Sequence, residues 1–170
     1  RNYHIFYEVL VGLNELIKLN FDYEKLYAYL ETKRLKVNDK TKNYCQTRLN
    51  KEKLKYFFNM PDKLTQIKYE SFTYLKNDVY TVPTIDDTAE FYGCIQGLIG
   101  SGFNDDEIDY VLKIVLGILY IGNIDFKEET ADKCKIDDKS VDIQKKVCEM
   151  LSIDYAVFAE AFLLNVRDIK

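Results

Sequence analysis

The sequence predicts a mainly α-helical fold with at most one or two short strands. Only 2 of the 170 residues are proline and 7 are glycine, so little interrupts the stretches in which apolar residues recur every three or four positions. Hydrophobic residues make up 47% of the chain and aromatic residues 14%, which is enough to build a core. We therefore expect one helical domain or subdomain over residues 1–170.

The first 23 residues predict two helices. Ile5, Val9 and Leu13 share one face of a helix expected over residues 2–11. Gly12 is expected to end or bend this helix, and a second short helix should follow through residues 16–17.

Residues 24–60 differ from the rest of the chain in charge. They contain ten lysines or arginines and four acids, a local charge of +6, although the whole chain carries −4. Helical spacing continues to residue 30, the polar residues 37–45 predict a loop, and residues 51–58 predict a short helix. Three interpretations of the segment stay open: a solvated and partly disordered excursion, a docking site for an acidic partner or membrane surface, and a platform for RNA stacking.

Helix signals become stronger after the irregular residues 60–83. A side chain that can accept a hydrogen bond from the backbone, followed three positions later by glutamate, is typical of a helix start. Such pairs are Asp87 with Glu90 and Asn104 with Glu107. Gly100 and Gly102 indicate the end of the first of these helices. The second is almost entirely apolar to residue 121, so we expect it to be central and to bury both Val115 and Ile118.

The last third of the chain predicts one short strand and two more helices. The strand is expected at residues 124–126, followed by a charged and exposed loop over residues 127–139. Ser140 and Asp154 are expected to begin the two helices.

No catalytic, nucleotide-binding or metal-binding residue is predicted. The chain has no GxxxxGK[ST] phosphate loop, and its single histidine, His4, is expected to be a buried core residue. Asp86 and Asp87 are expected to cap a helix rather than bind Mg²⁺. The four cysteines (Cys45, Cys94, Cys134 and Cys148) form no CxxC pair and predict reduced thiols that serve packing. No apolar run approaches the ~20 residues that cross a bilayer, and the net negative charge disfavours nucleic acid as a partner of the whole chain.

Four segments, in order, resemble one known family. They are RNYHIFY at residues 1–7 (with Asn2, Tyr3, His4, Ile5 and Phe6), the acidic run through Asp86, Asp87, Glu90 and Phe91, the turn through Gly102, Phe103 and Glu107, and ILYIGNIDF at residues 118–126 (with Gly122 and Asn123). Each is similar to a motif of myosin motor heads. The chain is identified by them as an internal piece of a myosin motor domain.

The resemblance implies the upper fifty-kilodalton subdomain, which flanks the actin-binding cleft. It implies that ATP and Mg²⁺ are bound elsewhere in the parent motor, as are light chains, and that the fragment alone is catalytically silent. It also implies a cytoplasmic protein associated with the cytoskeleton. Residues from about 24 to 67 have no counterpart in the usual family pattern and predict an insertion of a divergent class. The abrupt ends are expected of a segment cut from a longer chain.

The resemblance also gives candidate actin contacts. The loop over residues 127–138 corresponds to a family loop near actin, and residues 163–167 lead toward a second one. The candidates are Lys127, Lys133, Lys135, Arg167 and Lys170. A solvated surface loop remains the alternative for residues 127–138. For the whole chain, the alternative is a free-standing helical interaction module whose basic segment binds an acidic partner.

Overall fold

The structure is a computed structural model that describes residues 3–76, 79–130 and 133–163. Within these residues the chain forms eight α-helices and one antiparallel two-stranded sheet, so the mainly α prediction is confirmed. The helices are α1 (His4–Lys18), α2 (Tyr23–Thr32), α3 (Asp39–Arg48), α4 (Lys51–Phe58), α5 (Asp87–Gly100), α6 (Asp105–Ile121), α7 (Val141–Leu151) and α8 (Tyr155–Leu163). The strands are β1 (Phe126–Thr130) and β2 (Lys133–Ile136).

Helix α1 runs without interruption through Gly12, where the sequence predicted an end or a bend. A Cβ atom at Gly12 would lie 2.1 Å from Cδ1 of Phe91, so only glycine lets α1 and α5 approach so closely. The Tyr92 hydroxyl donates a 3.0 Å hydrogen bond to the Gly12 carbonyl across the same contact. This glycine therefore serves helix packing and not helix termination.

The basic segment is folded, so the prediction of a partly disordered excursion is wrong. The loop predicted over residues 37–45 is wrong from residue 39 onward, because helix α3 covers Asp39–Arg48; Asn38 caps its first turn by accepting from the Thr41 backbone N–H at 2.9 Å. Apolar side chains of α2, α3 and α4 enter the main core. They are Leu26, Tyr27, Leu30, Tyr44, Cys45, Leu54, Phe57 and Phe58. These contacts make the segment an integral part of the helical body.

Residues 60–76 and 79–83, the described part of the segment predicted to be irregular, are irregular, with two short 3₁₀ turns at Tyr69–Ser71 and Thr73–Leu75. One end of the segment is tied to α1 by the Asn14 amide. Asn14 Nδ2 donates to the Ile67 carbonyl at 2.8 Å, and the Ile67 backbone N–H donates to Asn14 Oδ1 at 2.8 Å. The amide replaces the hydrogen bonds that a regular element would supply.

Helix α6 begins with the predicted capping box. Asn104 Oδ1 accepts from the Glu107 backbone N–H at 3.0 Å, and Glu107 Oε2 accepts from the Asn104 backbone N–H at 2.8 Å. Leu112 and Leu116 on this helix are buried, but Ile118 is 41% exposed. The prediction that Ile118 is buried is therefore wrong, because only one face of α6 meets the core.

A second, smaller core joins the sheet to α7 and α8. Its buried residues are Ile124, Ile136, Val147, Cys148 and Phe158. The predicted strand begins later than expected, at Phe126, and β1 and β2 occupy much of the segment predicted as an exposed loop. Among the described residues, no helix combines the length and the apolar character needed to span a membrane.

Candidate functional site

The charged hairpin of β1 and β2 carries the first three predicted actin contacts. Phe126 pairs with Ile136 and Lys127 pairs with Lys135, with an irregularity in register between Glu128 and Thr130. The base of the hairpin is closed by the Asp137 backbone N–H, which donates to the Asp125 carbonyl at 2.8 Å. The hairpin is thus fixed at its base, while its strands present mainly exposed charged side chains.

The three lysines of the hairpin differ in their partners. Lys127 Nζ forms an ion pair with Asp138, and this pair raises the pKa of Lys127 and lowers the pKa of Asp138. Lys135 Nζ lies 3.6 Å from Glu129 Oε1. Lys133 is exposed and has no ion pair within the described residues. Lys133 is therefore the hairpin cation most available to an acidic surface.

Not every candidate can be placed. Arg167 and Lys170, the remaining predicted actin contacts, lie outside the described residues, as does the motif residue Asn2. Tyr3 is 70% exposed just before α1. His4 is also exposed, so the prediction of a buried core histidine is wrong. It occupies the first position of α1, and the buried face of the helix begins only at Phe6.

Asp86 and Asp87 were both expected to cap a helix, and Asp86 is the one that caps α5; the predicted pair of Asp87 with Glu90 does not form the cap. Asp86 Oδ1 accepts from the Ala89 backbone N–H at 3.0 Å. Its Oδ2 accepts from the Tyr29 hydroxyl at 2.6 Å and lies 3.0 Å from Lys33 Nζ. Partial burial raises the pKa of Asp86, but the bonds from Tyr29, Ala89 and Lys33 outweigh it and leave the pKa below its ordinary value.

The other motif acids and Phe91 lie on α5. Asp87 is buried in the first turn, and Glu90 is exposed beside it. Phe91 fills the space above Gly12 described for the contact between α1 and α5. These residues build the helix and its packing.

Gly122 and Asn123 join the end of α6 to the 3₁₀ turns. Asn123 Oδ1 accepts from the Thr73 backbone N–H at 2.7 Å, and Asn123 Nδ2 donates to the Ser71 carbonyl at 2.7 Å. A Cβ atom at Gly122 would lie 3.2 Å from Tyr74 Cβ, which is tighter than ordinary contact. Gly122 and Asn123 therefore hold the irregular segment against the end of α6, where the chain continues into the hairpin.

An ion cluster that sequence reasoning missed joins the basic segment to α6. Asp109 is 5% exposed, accepts from the Tyr44 hydroxyl at 2.9 Å and pairs with Lys53 Nζ. Arg48 lies 3.7 Å from the same carboxylate and 2.9 Å from Asp106. Burial, followed by the nearby Asp109 carboxylate, raises the pKa of Tyr44 far above its ordinary value. Two features of the sequence could have indicated this cluster. Asp109 is an acid on the apolar face of α6, and residues 24–60 contain an excess of bases that could pair with it.

A second missed contact joins α4 to α7. Lys146 is 7% exposed, and its Nζ lies 3.5 Å from the centre of the Tyr56 ring. Burial lowers the pKa of Lys146; Lys113 acts in the same direction and Glu149 opposes it. The basic segment thus contributes to the main core and also contacts helix α7, which carries part of the smaller core.

The four cysteines divide into a buried pair and an exposed pair. Cys45 and Cys148 are buried, as a packing role predicts, whereas Cys94 and Cys134 are exposed; all four are free thiols. Burial raises the pKa of Cys45 to about 12. Within the part of the chain that the structure describes, no cluster of three or more His, Cys, Asp or Glu side chains could bind a metal ion.

The described residues of the ordered motifs lie on a helical block that carries a charged hairpin. The family model described as "Myosin head (motor domain)" matches residues 59–170. The chain therefore belongs to the myosin motor-head family, and the resemblance seen in the sequence is confirmed. The match leaves out residues 1–58, which include the RNYHIFY segment and α1 to α4.

Individual myosins extend the similarity to the rest of the chain. Unconventional myosin-Ib of Rattus norvegicus is 29% identical over 174 residues, covering 100% of this chain and 11% of its own length. Unconventional myosin-VI of Homo sapiens is 31% identical over 157 residues, covering 91% of this chain and 11% of its own. Myosin-1 of Aspergillus clavatus is 32% identical over 100 residues, covering 58% of this chain and 8% of its own. The chain spans about a tenth of the length of these relatives.

Proposed function

We propose that this chain forms one wall of the actin-binding cleft of an ATP-driven myosin motor and relays the nucleotide state to that cleft. The observation that carries the proposal is the hairpin of β1 and β2, which is anchored at its base and carries Lys133, an exposed cation that has no ion pair within the described residues. Membership of the motor-head family supports the actin filament as the partner. The motor would act in the cytoplasm, on the actin cytoskeleton.

The relay is assigned to a connected series of helices. Helices α1 and α5 pack directly over Gly12, and α6 packs on α7, where a Cβ at Gly117 would lie 3.0 Å from Leu151 Cδ2. Asn123 then ties the end of α6 to residues 71–73, beside the start of the hairpin. Close-packed helices resist small deformations, so a displacement of α1 would reach the hairpin as a rigid-body shift.

ATP and Mg²⁺ would bind to other parts of the motor, since this sequence has no phosphate loop. The chain alone is then a passive element that neither binds nor hydrolyses nucleotide. Other subdomains of the same head supply that chemistry, and light chains bind outside this segment.

Cosedimentation with actin filaments tests the assignment of the hairpin. The chain should bind filaments weakly at low salt, and Lys133→Glu should reduce binding on the order of fivefold, because reversal turns attraction to an acidic surface into repulsion. Lys63→Glu is the matched control, since Lys63 is exposed in the loop after α4 and lies outside the hairpin. Equal losses in the two variants, or no loss in either, would contradict the proposal.

A further inference from the structure

Helix α4 of the basic segment is fixed to α6 near both of its ends. Near its start, Lys53 Nζ pairs with the buried carboxylate of Asp109. Near its end, the Tyr120 hydroxyl of α6 donates to the Phe57 carbonyl at 2.9 Å. Tyr56 lies between these two contacts, is half-buried and reaches α7 with its ring. Helix α4 therefore holds this ring at a defined place beside α7.

The group that meets the ring is the buried ammonium of Lys146. Its Nζ lies 3.5 Å from the centre of the Tyr56 ring, and it forms no ion pair with another described residue. Burial lowers the pKa of Lys146, which Glu149 opposes and Lys113 reinforces. Because a buried ammonium is unfavourable unless an attractive group faces it, the ring offsets much of this penalty.

The position of α7 is passed directly to the hairpin. Strand β2 leads through the short turn Asp138–Ser140 into α7. Ser140 Oγ accepts from the Asp125 backbone N–H at 2.9 Å, just before β1. The other end of α7 packs on α6, where Leu151 lies opposite Gly117. Packed helices can slide by small amounts along one another, so a contact between α7 and a second helix restricts this movement.

We propose that Tyr56 and Lys146 form a brace by which the basic segment holds α7, and with it the hairpin, in one position against the main body. A buried ammonium requires the face of this one ring, whereas an apolar side chain would be satisfied by any apolar neighbour. The brace concerns the position of the hairpin and does not depend on what the hairpin binds.

Hydrogen exchange of the whole chain, resolved by mass spectrometry of its peptides, tests the brace. Tyr56→Leu leaves the Lys146 ammonium buried without a ring. Exchange in β1, β2 and α7 should therefore accelerate on the order of tenfold, while α1 and α5 keep their protection. Tyr56→Phe retains the ring and should keep the original rates to within about twofold. If Tyr56→Phe accelerated exchange as much as Tyr56→Leu, the contact would depend on the hydroxyl and the brace would be overturned.

Two backgrounds separate the brace from a general loss of packing. With Lys146→Met, Tyr56→Leu should accelerate exchange less than about threefold, because no buried charge then loses its partner. The matched control is Lys145→Met, which removes an exposed charge from the same helix and should leave the tenfold effect intact. The proposal would be overturned by equal effects of Tyr56→Leu in the two backgrounds, or by no acceleration at all. Acceleration confined to α4, or uniform across every helix, would overturn it as well.

Discussion

The main helical core and the smaller core around the hairpin differ in how completely they enclose their aromatic side chains. Tyr7, Tyr44 and Tyr92 in the main core are fully buried. In the smaller core Phe158 is buried, but Phe162, whose ring centre lies 4.6 Å from that of Phe158, is 45% exposed and Val157 is 58% exposed. The proposed actin-facing hairpin therefore stands on the less enclosed part of the molecule.

This difference in burial indicates that the main core is the more rigid part of the molecule and the smaller core the less rigid part. Stabilisation by apolar burial is roughly proportional to the area removed from water, so the smaller core should open at a lower free energy than the main core. Helix α6 belongs to the main core, and its last turn adjoins the smaller one through Tyr120 and Ile121. The smaller core should therefore open locally more often than the packed helices that it adjoins.

The largest expected effect comes from breaking the tightest contact of the main core. Gly12→Ala should cost at least about 3 kcal/mol of unfolding free energy, because the new methyl group would lie 2.1 Å from Cδ1 and 2.8 Å from Cβ of Phe91. The Phe91 Cβ atom cannot swing aside, so α1 and α5 would have to separate. Thermal and urea unfolding followed by circular dichroism would measure the loss.

Gly97→Ala in α5 is the matched control for that substitution. A Cβ atom at Gly97 would meet no atom within 4 Å, so alanine should stabilise the helix by up to about 1 kcal/mol. If both variants moved the unfolding free energy in the same direction, the close approach of α1 and α5 at Gly12 would be contradicted.

An intermediate effect is expected from the smaller core. Phe158→Ala should cost about 2 kcal/mol, less than the ~3–5 kcal/mol typical of a Phe in a fully enclosed core, because its neighbours on α8 are already in contact with water. Hydrogen exchange should accelerate in α8 and the hairpin while the amides of α1 and α5 keep their protection. Uniform acceleration across all helices would mean that the two cores unfold as one.

The smallest effect concerns the cap of α5 within the main body. Asp86→Asn retains an acceptor for the Ala89 N–H but removes the charge that faces Lys33, so it should cost about 1 kcal/mol near neutral pH. Because the folded pKa of Asp86 is depressed, its contribution is fully present above the unfolded value of 3.8 and is lost as the pH falls through the folded pKa.

Urea unfolding of both proteins between pH 7 and pH 2 would measure this dependence. The stability difference between the original chain and the Asp86→Asn variant should shrink as the pH falls below 3.8. A difference that stayed constant over that range would mean that the Asp86 charge contributes nothing to the fold.

Local signals predicted much of the helical architecture. The starts of α6 and α8 follow from short-range capping chemistry, and Asn104 and Asp154 both act as predicted. Residues 39–48 could not be predicted as helical from apolar spacing, since their polar sequence offers little periodicity. Their helix depends on the Asn38 cap and on long-range contacts, among them the bond from Tyr44 to Asp109, 65 positions away.

The candidate site was predicted only in part, for the same reason. The sequence located the hairpin lysines but could not tell that Lys127 and Lys135 have acidic partners while Lys133 has none within the described residues. The sequence predicted an end or a bend at Gly12, because an isolated glycine is unfavourable inside a helix. The facing Phe91 that explains it is distant in sequence.

The hydrogen bond between Tyr92 and Gly12 joins residues 80 positions apart, so α1 and α5 close a long loop that contains the basic segment. The entropy of closing such a loop grows only with the logarithm of its length, by about 0.6 kcal/mol for each doubling. The entropic cost of the α1–α5 contact is therefore nearly independent of how many residues lie between its two partners. Helices α2 to α4 are held by the core contacts that they make themselves, and the closure of this loop contributes little to their position.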